Sequence, residues 1–386
     1  MPATGKDFHL FIFADALGWQ LAREKKFLED LLPYRNPCQT LFGYSSTCDP
    51  TILTGSLPDE HGHFSFFVKA DSKSPFSGLR WLAPLPEILA GHHRIRNRVS
   101  RWLARKLGYT GYFQLYSVPF RFLPYLDYTE KRDIYEPGGI IRGQETIFEN
   151  WKRSGKRWTR SDWRKGDAEN IAEIENQIEE GDIELAYLFT AGLDAVMHRY
   201  GTHGPEVDQA WNQFEETVRR LYQKAAHQYR DVKFYLFSDH GMANVTTPSD
   251  LMLRWFKKPF HYGRDYVAVF DSTMARFWFL NEKTRREATA WLADQPDGAI
   301  VRDEQLKTWN CFFPDRRYGE LFYLLPCQSL FVPSFLNQRL VTGMHGYSPD
   351  SPEMTASWLT NDPHTNVTQL HHIFPVMKNA ADSSPS

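Results

Sequence analysis

Three short apolar runs, each leading to an acid, set the rhythm of this chain. Residues 8–14, FHLFIFA, carry aromatic and β-branched side chains and stop at Asp15. Residues 183–189, IELAYLF, lead towards Asp194, and residues 232–237, VKFYLF, lead to Asp239 and His240. Runs of this length and composition predict buried strands. Between the second and third, Val207, Trp211, Phe214, Val218 and Leu221 recur at three- and four-residue intervals, which predicts a helix over 206–226 with one buried stripe. A helix over 20–32 after Gly18, and a strand-like piece at 40–44 followed by a helix over 45–55, repeat the order strand, turn, helix. Pro50 is expected in the first turn of that last helix, where a missing N–H is tolerated. The alternation predicts an α/β fold, a mainly parallel sheet sandwiched by helices. In such sheets the ligand site lies beyond the carboxyl ends of the strands, so acids distant in sequence converge there.

Residues 66–180 break the rhythm. They are rich in Pro, Arg, Trp and Tyr without clean alternation, and are expected to form a cap inserted into a core made of residues 1–65 and 181–386. Residues 255–335 are expected to add further strands or a small lobe, and the tail 379–386 to fray.

Composition narrows the class of protein. With 42% hydrophobic and 24% charged residues, the 386-residue chain is an ordinary folded globule with one large core or two domains. A formal net charge of −2 gives no global surface for a polyanion, so no nucleic-acid polymer is expected as a partner. Cys38, Cys48, Cys311 and Cys327 lack CxxC spacing, which points away from a zinc ribbon or disulfide framework and towards a reducing compartment. The stretch 8–17 is interrupted by His9 and Asp15 and does not read as a signal peptide, and no run reaches the roughly 18 apolar residues of a membrane span. The expectation is a soluble cytoplasmic protein; its oligomeric state is not encoded in any pattern here.

The acids come with histidines. Asp194 and His198 stand four apart in LDAVMH, Asp239 and His240 are adjacent in FSDHGM, Asp15 is alone, and His345 lies in GMHGY. Mixed carboxylate and imidazole donors suit Zn²⁺ or Mn²⁺ better than Ca²⁺. Two such ions held together can neutralise a phosphoryl transition state, activate a nucleophile and stabilise a leaving oxygen.

Five stretches, FIFADALGW, SSTCDPTILTGSLPDEHGH, FTAGLDAVMHRYGTHGPE, FSDHGM and GMHGYSPDSPEM, together resemble the alkaline phosphatase superfamily, most of all its type I phosphodiesterase and nucleotide pyrophosphatase branch, and occur in that family's order. The resemblance implies two divalent ions, zinc with manganese as the alternative. One would be held by Asp15, Asp239, His240 and the nucleophile, the other by Asp194, His198 and His345. It also implies a small phosphate ester as substrate, a phosphodiester or pyrophosphate, with a phosphomonoesterase or phosphotransferase as the alternative. In the superfamily the attacking residue stands ten positions before the glycine of a TG pair; counting back from Gly55 gives Ser45, with Thr47 as the fallback. The branch usually has threonine there, and serine performs the same attack. A second departure is the lack of the branch's asparagine after the HG pair, where this chain has His63, Phe64, Ser65 and Phe66; Ser65 or Lys69 is the replacement donor to consider.

Other features carry blander readings. Cys48-x-Pro50 resembles the opening of a sulfatase motif, but Ile52 stands where that motif needs arginine. His61 and His63 are candidate extra ligands, although the histidine of the HG pair is structural in the family; His203 is expected to support the loop after His198. In the basic run 92–106, Ile95, Val99, Trp102 and Leu103 fall at helical spacing. Packing of that stripe on the core is preferred over peripheral contact with an anionic membrane. The aromatics Phe64, Phe66, Phe67, Trp81, Tyr109, Tyr112 and Phe113 are expected to line an apolar pocket or to form the core of the cap.

Overall fold

A computed structural model describes residues 4–82 and 93–382. Its central sheet has six strands: β1 (Asp7–Ala14), β2 (Tyr34–Cys38), β3 (Trp158–Arg160), β4 (Leu185–Thr190), β5 (Asp231–Phe237) and β6 (Ala356–Thr360). They lie in the order β2-β6-β5-β1-β4-β3, and β6 alone runs against its neighbours. The three apolar runs are thus the three middle parallel strands. Being covered on both faces, β1 and β4 are buried along nearly their whole length, the pattern of parallel strands between helices.

Helices α1 (Ser45–Thr54), α2 (Asp167–Glu180), α3 (Gly192–Tyr200) and α4 (Pro205–Gln228) complete the central layers. On one side, Val207, Trp211, Val218 and Leu221 of α4 join Ile174 and Ile178 of α2 against the sheet. On the other, Ile52 and Leu53 of α1 pack with Phe11, Tyr187, Phe237 and Trp358.

Several boundaries differ from the sequence expectation. The helix expected over 20–32 is confined to Trp19–Glu24, because Lys26 and Leu28 adopt positive φ (50° and 54°) and turn the chain. The strand before α1 is Tyr34–Cys38; residues 40–44 are irregular. Pro50 is the sixth residue of α1, beyond the first turn, where it removes one helical hydrogen bond. Residues 379–382 extend the helix Ile373–Asp382 instead of fraying; the last four residues lie outside the described ones.

The segment 66–180 divides. Trp158–Arg160 forms the sheet's edge and Asp167–Glu180 covers it, so these belong to the central layers. Residues between Phe64 and Tyr128 instead share one apolar cluster with a four-stranded antiparallel sheet formed by Tyr266–Phe270, Met274–Phe279, Ala299–Val301 and Leu321–Leu324, which is the lobe expected over 255–335. The basic run is a helix, His93–Leu107; His92 lies outside the described residues. Its inward face is Arg96, Val99, Ser100 and Leu103, while Ile95 and Trp102 are exposed. Arg96 turns inward because its guanidinium lies over the Phe120 ring and donates to the Val118 carbonyl. Among the described residues no helix is long and apolar enough to cross a membrane.

Candidate active site

The carboxyl ends of β1, β4 and β5 deliver the acids. Asp15 directly follows β1, and its amide donates to Thr190 at the end of β4 (2.9 Å). Helix α3 begins two residues after β4 and sets Asp194 and His198 one turn apart on one face. Asp239 and His240 follow β5 after Ser238, whose hydroxyl donates to the Leu17 carbonyl and ties the two loops together (2.7 Å). His345 comes from a two-residue strand, Gly343–Met344, laid against α3. Gly343 is required there: a Cβ would press into the carbonyl of Met197.

Two triads result. Ligand atoms of Asp15, Asp239 and His240 lie within 4.8 Å of one another, as do those of Asp194, His198 and His345. His240 Nδ1–H donates to the Gly241 carbonyl (2.9 Å) and His198 Nδ1–H to the Gly343 carbonyl (2.8 Å). Each ring is thereby oriented with Nε2 towards the carboxylates, the usual support of a metal-ligating imidazole. His240 Nε2 lies 3.0 Å from Asp239 Oδ2, 3.6 Å from Asp15 Oδ1 and 3.1 Å from Ser45 Oγ. In the second triad, Asp194 Oδ1 lies 3.2 Å from His198 Nε2 and 3.8 Å from His345 Nε2.

The donors fit divalent ions. Asp15 Oδ1, Asp194 Oδ1, Asp239 Oδ2 and His345 Nδ1 are buried without a hydrogen-bond partner. Each such atom costs about 1–3 kcal/mol when left unsatisfied, and four around two triads call for cations. The electrostatics agree. Burial, with Asp239 and Asp194 nearby, pushes the Asp15 carboxyl well above its ordinary range. Burial also opposes ionisation of Asp239, but His240 and a hydrogen bond from Ser45 outweigh it and hold that carboxyl low. Burial and its two imidazole neighbours hold His345 neutral.

Ser45 is the first residue of α1, after Tyr44 in extended conformation. The fallback, Thr47, is fully buried and donates to the Phe64 carbonyl (2.6 Å), as does Ser46 (3.0 Å). Cys48 is buried beside Thr40 Oγ1, and burial pushes its thiol well up. His61 and His63 join neither triad. His61 Nε2 bonds Thr51 Oγ1 (2.8 Å) while its Nδ1 accepts from the His63 amide, and His63 Nε2 accepts from the Ile141 amide (3.0 Å). His203 bonds Thr202 and faces Glu24.

Ser65 lines the cavity over the triads, and its hydroxyl accepts from Arg276 (2.8 Å); Lys69 instead faces Asp71. Arg276 went unnoticed in the sequence because it sits inside the apolar strand MARFWF. It is fully buried, pairs with Asp271 at 2.8 Å and also donates to the carbonyls of Phe67 and Tyr318. Asp49, also missed, follows Ser45 by one helical turn and lines the same cavity; that i, i+4 spacing was a usable signal. Of the aromatics singled out, Phe66, Phe67 and Tyr112 line the cavity, Phe64, Tyr109 and Phe113 pack into the lobe, and Trp81 is exposed.

Residues 43–291 match the model of the type I phosphodiesterase / nucleotide pyrophosphatase family. The chain belongs to that family. It is a metal-dependent hydrolase acting on phosphoric ester bonds. No curated protein sequence matches. Murine ectonucleotide pyrophosphatase / phosphodiesterase 5, solved as an inactive variant in complex with AMP, shares the fold with a TM-score of 0.69 at 14% identity, over 99% of this chain and 96% of that one. The human counterpart superposes with a TM-score of 0.68 at 13% identity, over 98% and 96%. This family member thus has the alkaline phosphatase-like α/β architecture that its sequence pattern implies.

Proposed function

We propose that this chain is a two-metal phosphodiesterase that works through a covalent intermediate on Ser45. The observation that carries the reading is the 3.1 Å approach of Ser45 Oγ to His240 Nε2, beside Asp15 and Asp239 and next to the second triad. Asp15, Asp239 and His240, with Ser45, would hold one ion, and Asp194, His198 and His345 the other. When bound, such ions, zinc or manganese by their donors, neutralise phosphoryl oxygens and favour the alkoxide.

Ser45 Oγ attacks phosphorus in line, a phosphoserine ester forms, and the P–O bond to the departing alcohol breaks. Water then attacks phosphorus from the vacated side, the bond to Oγ breaks, and Ser45 regains its proton as the phosphate monoester leaves. Two inversions give net retention. The amides of Ser45 and Ser46, which a first helical turn leaves unpartnered, face developing charge with the positive end of α1 behind them. The AMP complex of the murine relative supports a small phosphate ester with an organic substituent. All four cysteines are free thiols, which supports the cytoplasmic placement.

The test is turnover of bis(p-nitrophenyl) phosphate against p-nitrophenyl phosphate by the metal-loaded chain. The diester is expected to react faster; a diester to monoester ratio well below one would replace this reading with a phosphomonoesterase.

A further inference from the structure

The helix His93–Leu107 has a face that the lobe does not use. Its inward side is fixed. Leu103 joins the apolar cluster, Ser100 Oγ accepts the Leu115 amide (3.0 Å), and Asn97 Oδ1 accepts from Gln114 Nε2 (3.4 Å). Outward, Arg94, Arg98, Arg101 and Arg105 recur at four-, three- and four-residue intervals, which sets these exposed side chains in one stripe about 16 Å long. Ile95 (37% exposed) and Trp102 (51% exposed) are two turns apart and form a second stripe beside it, continued by Lys106.

The charge pattern separates this face from an ordinary solvated one. The helix has six Lys and Arg residues and no acid. With Arg96 turned inward, five remain outside, and among the described residues none of the five has a carboxylate partner. On α4, by contrast, Arg219 pairs with Asp30 (2.7 Å), Arg220 with Glu175 (2.5 Å) and Lys224 with Glu179 (2.6 Å). The chain as a whole carries a net charge of −2, so the excess is local. Unopposed cations beside two exposed apolar side chains match a surface that is anionic outside and apolar just beneath. A nucleic acid would engage the arginines but not Ile95, and one face of the Trp102 ring is already taken by Lys106 Nζ, 4.9 Å from its centroid. An acidic protein patch likewise answers only the cations.

We infer that the outer face of His93–Leu107 is a docking surface for an anionic phospholipid bilayer. The helix lies in the interface plane, with Ile95 and Trp102 inserted and the arginines among the headgroups. Docking holds the lobe at the bilayer surface and makes no demand on the chemistry at Ser45, so the two readings stand or fall separately.

Cosedimentation of the full chain with vesicles tests it. Vesicles of phosphatidylcholine with about one-third phosphatidylserine are expected to bind the chain at least about tenfold more tightly than phosphatidylcholine alone, and about 0.5 M salt to release most of it. Equal binding to the two, or binding to neither, overturns the inference. Replacing Arg98, Arg101 and Arg105 together by Gln is expected to abolish the preference for anionic vesicles. Trp102→Ala is expected to weaken binding to them about five- to tenfold. All four side chains are exposed, so thermal unfolding midpoints should stay near that of the unaltered chain. Full binding retained in either variant overturns the inference. Poly(U) separates a bilayer site from a general polyanion site: if it binds as tightly as the anionic vesicles and Trp102→Ala weakens neither, the bilayer assignment falls.

Discussion

His240 and His345 lie face to face, ring centroids 3.7 Å apart and planes within 15° of parallel, although they belong to different triads. This contact joins the two halves of the site. His240 is fixed by the loop after β5, and His345 by the short strand against α3, so the stack registers the two triads through elements about a hundred residues apart. Two protonated imidazoles could not sit this close; burial and the neighbouring rings hold His345 unprotonated, the form a metal requires.

The attack assigned to Ser45 is open to a direct test. Ser45→Ala should reduce turnover of bis(p-nitrophenyl) phosphate by at least about a thousandfold, as loss of a nucleophile does, while elemental analysis finds metal content retained. Wild-type rates in this variant would transfer the role to another hydroxyl.

Gly343→Ala tests the close approach that seats His345. The added methyl meets the Met197 carbonyl, which is backbone and cannot turn aside. Destabilisation of about 1–3 kcal/mol in denaturant unfolding is expected, together with selective loss of the ion assigned to Asp194, His198 and His345.

Arg276→Met should cost about 3–5 kcal/mol, because it leaves Asp271 buried without its partner. Combining it with Asp271→Leu should recover part of that loss. Urea unfolding of the single and double variants checks both expectations.

His63 makes the chain acid-sensitive. Burial, with Arg317 nearby, pushes its imidazole down to about 3, and its Nε2 accepts the Ile141 amide. The unfolded chain takes up the proton near pH 6.5 while the folded one resists until about 3. Stability therefore falls as pH drops through that window, by up to roughly 1.4 kcal/mol per unit. His63→Gln, which keeps an acceptor for Ile141, should flatten the slope of unfolding free energy between pH 6 and 4.

The middle of the sheet was legible because β1, β4 and β5 are apolar towards their carboxyl ends, with Asp15 and Asp239 within two residues of the ends of β1 and β5. The i, i+4 spacing of Asp194 and His198 likewise showed in the sequence. The edges were not legible. Strand β2 reads YRNPC, polar and with a proline that only an edge position tolerates, and β3 is three residues long in a stretch that otherwise reads as cap. The early end of the helix at Glu24 depends on positive φ at Lys26 and Leu28, residue types that give no local sign of it. Arg276 was hidden by its apolar neighbours, since its partners Asp271 and Ser65 come together only on folding. The aromatic lining of the cavity was visible as composition but not as a surface, because Phe66, Tyr112 and Trp163 meet through long-range packing.

The most direct measurement is the number of divalent ions bound per chain, by plasma mass spectrometry after metal loading and dialysis. The account predicts two for the unaltered chain and about one for His198→Ala or for Asp239→Asn, each variant losing a different ion. A content near zero in the unaltered chain, or two ions retained in both variants, would contradict it.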